Sequence, residues 1–193
     1  MNISTFSGSL HRGEWIRDIW SWLFLLVMVL FFEVWAQVSY SSSFVFIGFN
    51  VQSIFIFATA PLLLGIGQSL VIISGGIDLS VGFVMGMSAV VLATVVQSFS
   101  GEAHGVALAI GILITFLVCL IPGLINGFLV TKLKVPPFIG TLGMYGVARG
   151  SGFIIADGMT VPVDNDWLYR LGTEKILGIP IVVLIVIIVV IIF

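Results

Sequence analysis

Long apolar runs, each closed by a short polar or glycine-rich break, recur along the chain. Ile19 to Val38, Val51 to Ile73, Leu79 to Val96, Val106 to Val130 and Phe138 to Ala156 read as helices. Leu177 to Phe193 closes the sequence with an almost wholly aliphatic run. A helix rising 1.5 Å per residue needs about 20 residues to cross a hydrocarbon layer about 30 Å thick, and these runs match that length. The pattern predicts an all-α, polytopic transmembrane helix bundle with about six spans. A transmembrane barrel would instead alternate apolar and polar positions over segments of about 10 residues, which no part of the chain does.

The breaks carry more information than the runs. In the second run, Pro61 and Gly65-Ile66-Gly67 raise the expectation of a kink or interruption near its centre, with Gln68 and Ser69 placed to bond across helices or to a solute. Between the second and third runs stands S-G-G-I-D-L-S, in which Asp78 is a lone acid between apolar stretches. An acid there is costly in hydrocarbon, so it marks either a solute path or a structural pivot. Asp78 or Ser80 is placed to cap the third helix, since short acceptor side chains satisfy free N–H groups at a helix start. Gly82/Gly86, Gly123/Gly127 and Gly146/Gly150 repeat a G-x-x-x-G step and hint at close helix packing. Pro136 and Pro137 end the fourth helix after Lys132 and Lys134.

Charge orients the bundle. Met1 to Asp18 is polar with balanced charges and is read as a cytoplasmic arm, with Trp15, Trp20 and Trp22 forming an interfacial belt. The run from Ile19 to Ala36 exceeds the about 7–15 apolar residues of a cleaved leader, so it reads as a retained span. Counting from a cytoplasmic N terminus places Lys132 and Lys134 inside, as the excess of cations on cytoplasmic loops requires. The same count places Ser39 to Asn50 and Gln97 to Gly105 outside, and neither holds Lys or Arg. Asp157 to Lys175 then faces outside as a small lid or docking loop. Glu33 either reaches the outer interface or acts within the bundle. Arg149, inside the fifth helix, needs a partner, and Asp157, Glu33 and Asp78 are the candidates. The abrupt end in Leu177 to Phe193 predicts that the natural chain continues.

Composition narrows the chemistry. Of 193 residues, 60% are hydrophobic and 8% charged, and the formal net charge of -2 leaves no basic stripe for a nucleic acid. Cys119, alone in an apolar run, permits neither an internal disulfide nor a cysteine metal cluster. His11 and His104 lie in loops far apart in sequence and read as solvated or incidental. No phosphate-binding G-x-x-x-x-G-K-[ST], H-E-x-x-H, C-x-x-C or G-x-S-x-G occurs, and the acids are too dispersed to form a catalytic pair. No enzyme, cofactor or metal site is expected. A transporter without its own nucleotide motif draws energy from a partner ATPase or an ion gradient.

Three motifs in order, G-G-I-D-L-S-V-G (Gly75 to Gly82), I-N-G-F-L-V-T-K-L-K-V-P-P-F-I-G-T-L-G-M (Ile125 to Met144) and A-R-G (Ala148 to Gly150), together resemble the ribose/galactose/xylose-type ABC transporter permeases. The resemblance covers roughly Ile54 to Gly178. It implies a multi-pass inner-membrane subunit paired with a second permease copy. It also implies a sugar ABC ATPase, which binds the ATP, and a periplasmic sugar-binding protein. The activity implied is import of a monosaccharide, a ribose-like pentose or a hexose, by alternating access. Residues 19–193 would then be an N-terminal portion of the permease domain, since family members are longer. Gly75, Gly76, Asp78, Ser80 and Gly82 match the first signature and imply a tight helix-to-helix turn. Asn126, Pro136, Pro137, Phe138, Thr141 and Arg149 match the second and third. Phe138 and Thr141 suit either a sugar path or packing, because pyranose faces stack on aromatic rings while hydroxyls need donors and acceptors.

Three other readings stand beside this one. A permease of the branched-chain amino-acid type shares the helix scheme but not the G-G-I-D-L-S signature. An ion-coupled secondary carrier would use Asp78 and a broken second helix as an ion site. The abrupt ending also allows a fragment without function of its own.

Overall fold

The computed structural model describes residues 14–45, 47–99 and 104–193. The elements are α1 (Glu14–Tyr40), α2 (Gly48–Ile73), α3 (Val81–Ser98), α4 (His104–Thr131), α5 (Pro137–Ile155), α6 (Asp166–Thr173), β1 (Lys175–Ile176), β2 (Ile179–Pro180) and α7 (Ile181–Ile192). The architecture is therefore an all-α polytopic membrane bundle. Four stretches are long and apolar enough to cross a membrane: Ile19–Tyr40, Gly48–Ile73, Val81–Ser98 and His104–Thr131. The two further expected spans fall outside that set. α5 carries Arg149 within its 19 residues, and α7 has 12, about 18 Å of helix against about 30 Å of hydrocarbon.

Several boundaries differ from the sequence reading for local reasons. Residues 1–13 of the expected arm, His11 among them, lie outside the described residues, and Glu14 to Asp18 continue α1 as helix. Residues 100–103 of the loop before α4 are likewise outside them. α2 is not interrupted: it runs through Pro61 without a break. Thr59 and Ser69 bond back to the carbonyls of Ile56 and Gly65, and an open backbone in hydrocarbon would cost far more than the one N–H that proline lacks. The expected span Leu177 to Phe193 begins later, because Leu177 (φ 53°) and Gly178 (φ 84°) turn a short antiparallel hairpin. The expected outer loop also contains the helix α6, whose N-cap Asn165 accepts from the Leu168 N–H at 3.0 Å.

The chain divides into two compact units, Met1–Ile54 and Phe55–Phe193. Within the first, Glu33 binds the connection that follows α1. Its carboxylate accepts from the N–H groups of Phe44 (2.8 Å) and Val45 (2.9 Å), from Ser43 Oγ (3.1 Å) and from Gln37 Nε2 (2.8 Å). Phe32 packs its ring on Phe44, with centroids 5.6 Å apart. Glu33 is thus a clamp on the α1–α2 turn.

In the second unit α3 lies against both α4 and α5, while α6 contacts α4 and α7. Met87, Val91 and Ala148 form the buried centre, flanked by Phe83, Val84, Val95, Val118 and Cys119. Close approach is made at Gly152 and Gly111. A Cβ on Gly152 would stand 3.4 Å from Met87 Cα, and one on Gly111 would meet Leu92 Cδ1 and Val96 Cγ2 at 2.9 Å. The G-x-x-x-G steps behave otherwise: a Cβ added at Gly82, Gly86, Gly123, Gly127, Gly146 or Gly150 would meet nothing within 4 Å. Such spacing shows only that a helix has a flat strip, and which strip a neighbour covers is settled by the three-dimensional arrangement. Most large apolar side chains of α1 and α4 are exposed, as lipid-facing surfaces require, whereas in α3 only Met85 is.

Replacing Gly152 by valine should therefore force α3 and α5 apart and lower stability by about 1–3 kcal/mol. Gly123→Ala, at an open position, should leave the melting temperature of the detergent-solubilised protein unchanged. Equal melting temperatures for the two variants would contradict this packing.

Candidate functional site

The region that gathers most of the sequence-nominated residues is the break between α2 and α3. α2 ends in two bonds of the Schellman type: Gly76 N–H donates to Val71 O and Gly75 N–H to Ile72 O, both at 2.9 Å. Gly75 takes φ +83°, which costs a residue with a Cβ about 1–2 kcal/mol. Gly76 lies under α5, where a Cβ would stand 3.7 Å from Pro137 Cβ and 3.3 Å from Val71 Cγ1. The chain then passes through Ile77 as irregular backbone and turns into α3.

Asp78, half-buried, makes that turn. Its Oδ1 accepts from Ser80 N–H at 2.7 Å and from Ser80 Oγ at 2.6 Å. Ser80 already has helical angles and its side chain makes no capping bond to α3, so the aspartate carries the cap. The Ser80 hydroxyl, almost wholly buried, instead accepts from Asn126 Nδ2 of α4 at 3.1 Å. Thr141 of α5 donates to Ile77 O (3.2 Å) and to Pro137 O (2.8 Å). Gln68 of α2, in the amide orientation that satisfies both of its ends, donates to Asp78 O and accepts from Asp78 N–H, each at 3.2 Å. Four helices meet on this short segment of chain. Asn126 Oδ1 is buried without a hydrogen-bond partner among the described residues.

Of the remaining nominated residues, Pro137 and Phe138 reach this junction through the carbonyls that face Thr141 Oγ1, and Gly82, Pro136 and Arg149 are not part of it. Gly82 faces open space. Pro136 stands at the N-cap of α5, with Pro137 as its first residue, where a missing N–H is harmless. Phe138 is 55% exposed, although its carbonyl lies 3.4 Å from Thr141 Oγ1. Arg149 does not pair with an acid: among the described residues the arginine–carboxylate pair is Arg170 with Glu174. Asp78 is engaged by Ser80, and Glu33 by its own turn. The guanidinium lies instead over the ring of Phe83, 5.8 Å from its centroid, and Tyr145 packs edge-on against the same ring at 4.2 Å. Both Arg149 and Phe83 line a cavity of about 720 Å³ between α3 and α5.

His104 is not incidental either. Its carbonyl accepts from Asn165 Nδ2 at 2.9 Å and its Nδ1 accepts from Asp166 N–H at 3.2 Å, so the start of α4 is tied to the start of α6. Nothing in a lone loop histidine announces this, although Asn165 followed by an acidic first turn is a legible helix start. Among the described residues no group of three or more His, Cys, Asp or Glu side chains is placed to hold a metal ion.

Comparison with known proteins turns this geometry into an identity. A family profile described as branched-chain amino acid transport system / permease component matches residues 50–193. The chain belongs to that family. It is 35% identical over 134 residues to an autoinducer 2 import system permease protein of Photorhabdus luminescens, covering 68% of this chain and 39% of the relative. It is 36% identical over 135 residues to a galactofuranose transporter permease protein of Escherichia coli K12, covering 69% and 38%. Against a fructose import permease protein of Bifidobacterium longum it is 32% identical over 139 residues, covering 72% and 39%. In these alignments the chain spans about two fifths of each relative's length. No solved structure matches. The family match and the four membrane-length helices make this a multi-pass membrane protein of a permease family.

Ser80→Ala removes the hydroxyl that joins Asp78 to Asn126 and leaves a buried amide donor unsatisfied, a loss of about 1–3 kcal/mol. The expected outcome is a lower melting temperature in detergent. Gly75→Ala should lower it too, whereas Phe138→Leu, at an exposed ring, should not. An unchanged melting temperature for Ser80→Ala would show that the hydrogen bonds contribute nothing to holding the helices.

Proposed function

We propose that the protein is the membrane-spanning permease subunit of a binding-protein-dependent ABC importer that passes a monosaccharide across the bacterial inner membrane. The observation that carries this is the family match over residues 50–193, falling on apolar helices of spanning length. The relatives named for galactofuranose and fructose support a sugar cargo. The relative named for autoinducer 2 widens the class to other small polar solutes. ATP is bound and hydrolysed by a partner subunit, a periplasmic receptor delivers the sugar, and a second permease copy completes the pathway. The subunit itself needs no cofactor.

Physical reasoning supports the division of labour. An alternating-access subunit has to move groups of helices as bodies, and bodies need joints that do not come apart. The α2–α3 junction has that character: an acid, a hydroxyl and an amide are joined in one chain of hydrogen bonds, so α2, α3, α4 and α5 meet at a fixed point. Asp78 serves as the pivot in this reading. The secondary-carrier alternative loses its structural basis, because the broken second helix it needs is continuous. The branched-chain amino-acid alternative takes support from the family's description, while the names of the relatives favour sugars.

The orientation follows from the lysine pair. Lys132 and Lys134 are exposed in the α4–α5 connection, and the excess of cations on cytoplasmic loops assigns that connection to the inside with the N terminus.

Two measurements test the proposal. The full-length permease, reconstituted in proteoliposomes with its ATPase and receptor, should take up labelled fructose, galactose or ribose only when ATP and receptor are both present. Uptake driven by a sodium or proton gradient without ATP would overturn it, as would a receptor that binds leucine and no sugar. In right-side-out vesicles, Lys134→Cys should resist an impermeant thiol reagent while Asp164→Cys reacts. The opposite pattern would reverse the topology.

A further inference from the structure

The cavity between α3 and α5 is not used by the junction described above, and its chemistry is distinct. Its walls include the rings of Phe83 and Phe153, the side chains of Met87 and Met159, and the guanidinium of Arg149. The space is an open groove of about 720 Å³, and Phe153 and Met159 on its walls are largely exposed. Gly86, Gly146 and Gly150 open the walls, since none has an atom within 4 Å of where a Cβ would lie. Thr160 adds a hydroxyl at the rim.

Arg149 is the decisive group. A guanidinium on a helix of a membrane bundle is costly and ordinarily pairs with an acid or reaches water. Here the residue is exposed, no carboxylate and no hydrogen-bond acceptor engages it among the described residues, and its guanidinium carbon stands 5.8 Å from the centroid of the Phe83 ring. Stacking occupies the flat face of a guanidinium and leaves its in-plane N–H donors available. Those donors, planar and beside apolar side chains, match two neighbouring hydroxyls on a ring whose C–H face rests on an aromatic surface.

We propose that this groove is a solute-contact site for a neutral polyhydroxylated ring: Arg149 donates to a vicinal diol, Phe83 holds the guanidinium in place, and Phe153 supplies the apolar face. This inference rests on the importer reading and adds to it the residues that touch the cargo. A neutral ligand fits better than an anion. A single cation among apolar walls would hold a phosphate or carboxylate too firmly for passage, whereas conduction requires binding weak enough to release.

The test uses the full-length permease assembled with its ATPase and receptor in proteoliposomes, and reads the amount of sugar imported per ATP hydrolysed. Arg149→Gln should lower that ratio by about tenfold, the scale of one lost charge-assisted hydrogen bond. Arg149→Lys should recover part of it, and Phe83→Leu should fall in the same direction by less. If Arg149 merely pairs with an acid elsewhere in the assembly, uptake and ATP hydrolysis fall together, the ratio holds, and the proposal is overturned. A second measurement does not depend on those variants folding. Thr160→Cys should react with an impermeant thiol reagent and be protected by millimolar sugar but not by millimolar inorganic phosphate, with the parent protein's half-buried Cys119 as background. Equal reaction with and without sugar, or protection by phosphate alone, would overturn the site. A wild-type assembly that imports no monosaccharide overturns the importer reading and this one with it. A wild type that imports normally, beside variants that do the same, overturns only this one.

Discussion

The hydrogen bonds that leave Asp78 and pass through Ser80 to Asn126 are the constraint on which the second unit depends. In hydrocarbon there is little hydrophobic force to draw one helix to another, since lipid is as apolar as the side chains it would replace. Shape and polar bonding have to do that work. The buried Ser80 hydroxyl donates to the acid and accepts from the amide, so it is satisfied in both directions. Thr141 and Gln68 bind the same short segment from α5 and α2. Polar groups that would be a liability singly become a joint when each completes another.

Around this joint the packing is carried by small residues at two places. Gly152 lets α5 approach the backbone of Met87, and Gly111 admits the ends of Leu92 and Val96. Elsewhere the glycine strips remain open, and between α3 and α5 they enlarge a cavity that holds the one arginine of α5. One molecule thus uses the same residue type in two ways, for contact where a neighbour arrives and for space where none does.

The polar connections repeat the logic at the helix ends. Glu33 gathers the N–H groups of Phe44 and Val45 after α1, and His104 with Asn165 ties α4 to α6. In each case a side chain satisfies backbone groups that the end of a helix or a turn leaves free. The residues so used are among the few polar ones available in a chain with 8% charge, which is why each has several partners.

By itself the sequence determined the long apolar helices and the family, and it singled out the S-G-G-I-D-L-S break. Apolar runs of spanning length leave a backbone in lipid no alternative to helix, and glycine pairs beside an acid do not occur idly between two such runs. It did not determine partners. Asp78 and Asn126 stand 48 residues apart, and nothing along the chain says that Ser80 joins them. The glycine steps were legible as strips but not as contacts, and two of the acids nominated for Arg149, Asp78 and Glu33, are engaged elsewhere. A helix periodicity reports which residues share a face, whereas the neighbour that covers the face is chosen by long-range packing. Only the tertiary structure could show that Phe83, and no carboxylate among the described residues, stands against the guanidinium, because that contact joins two helices whose approach is set by Gly152.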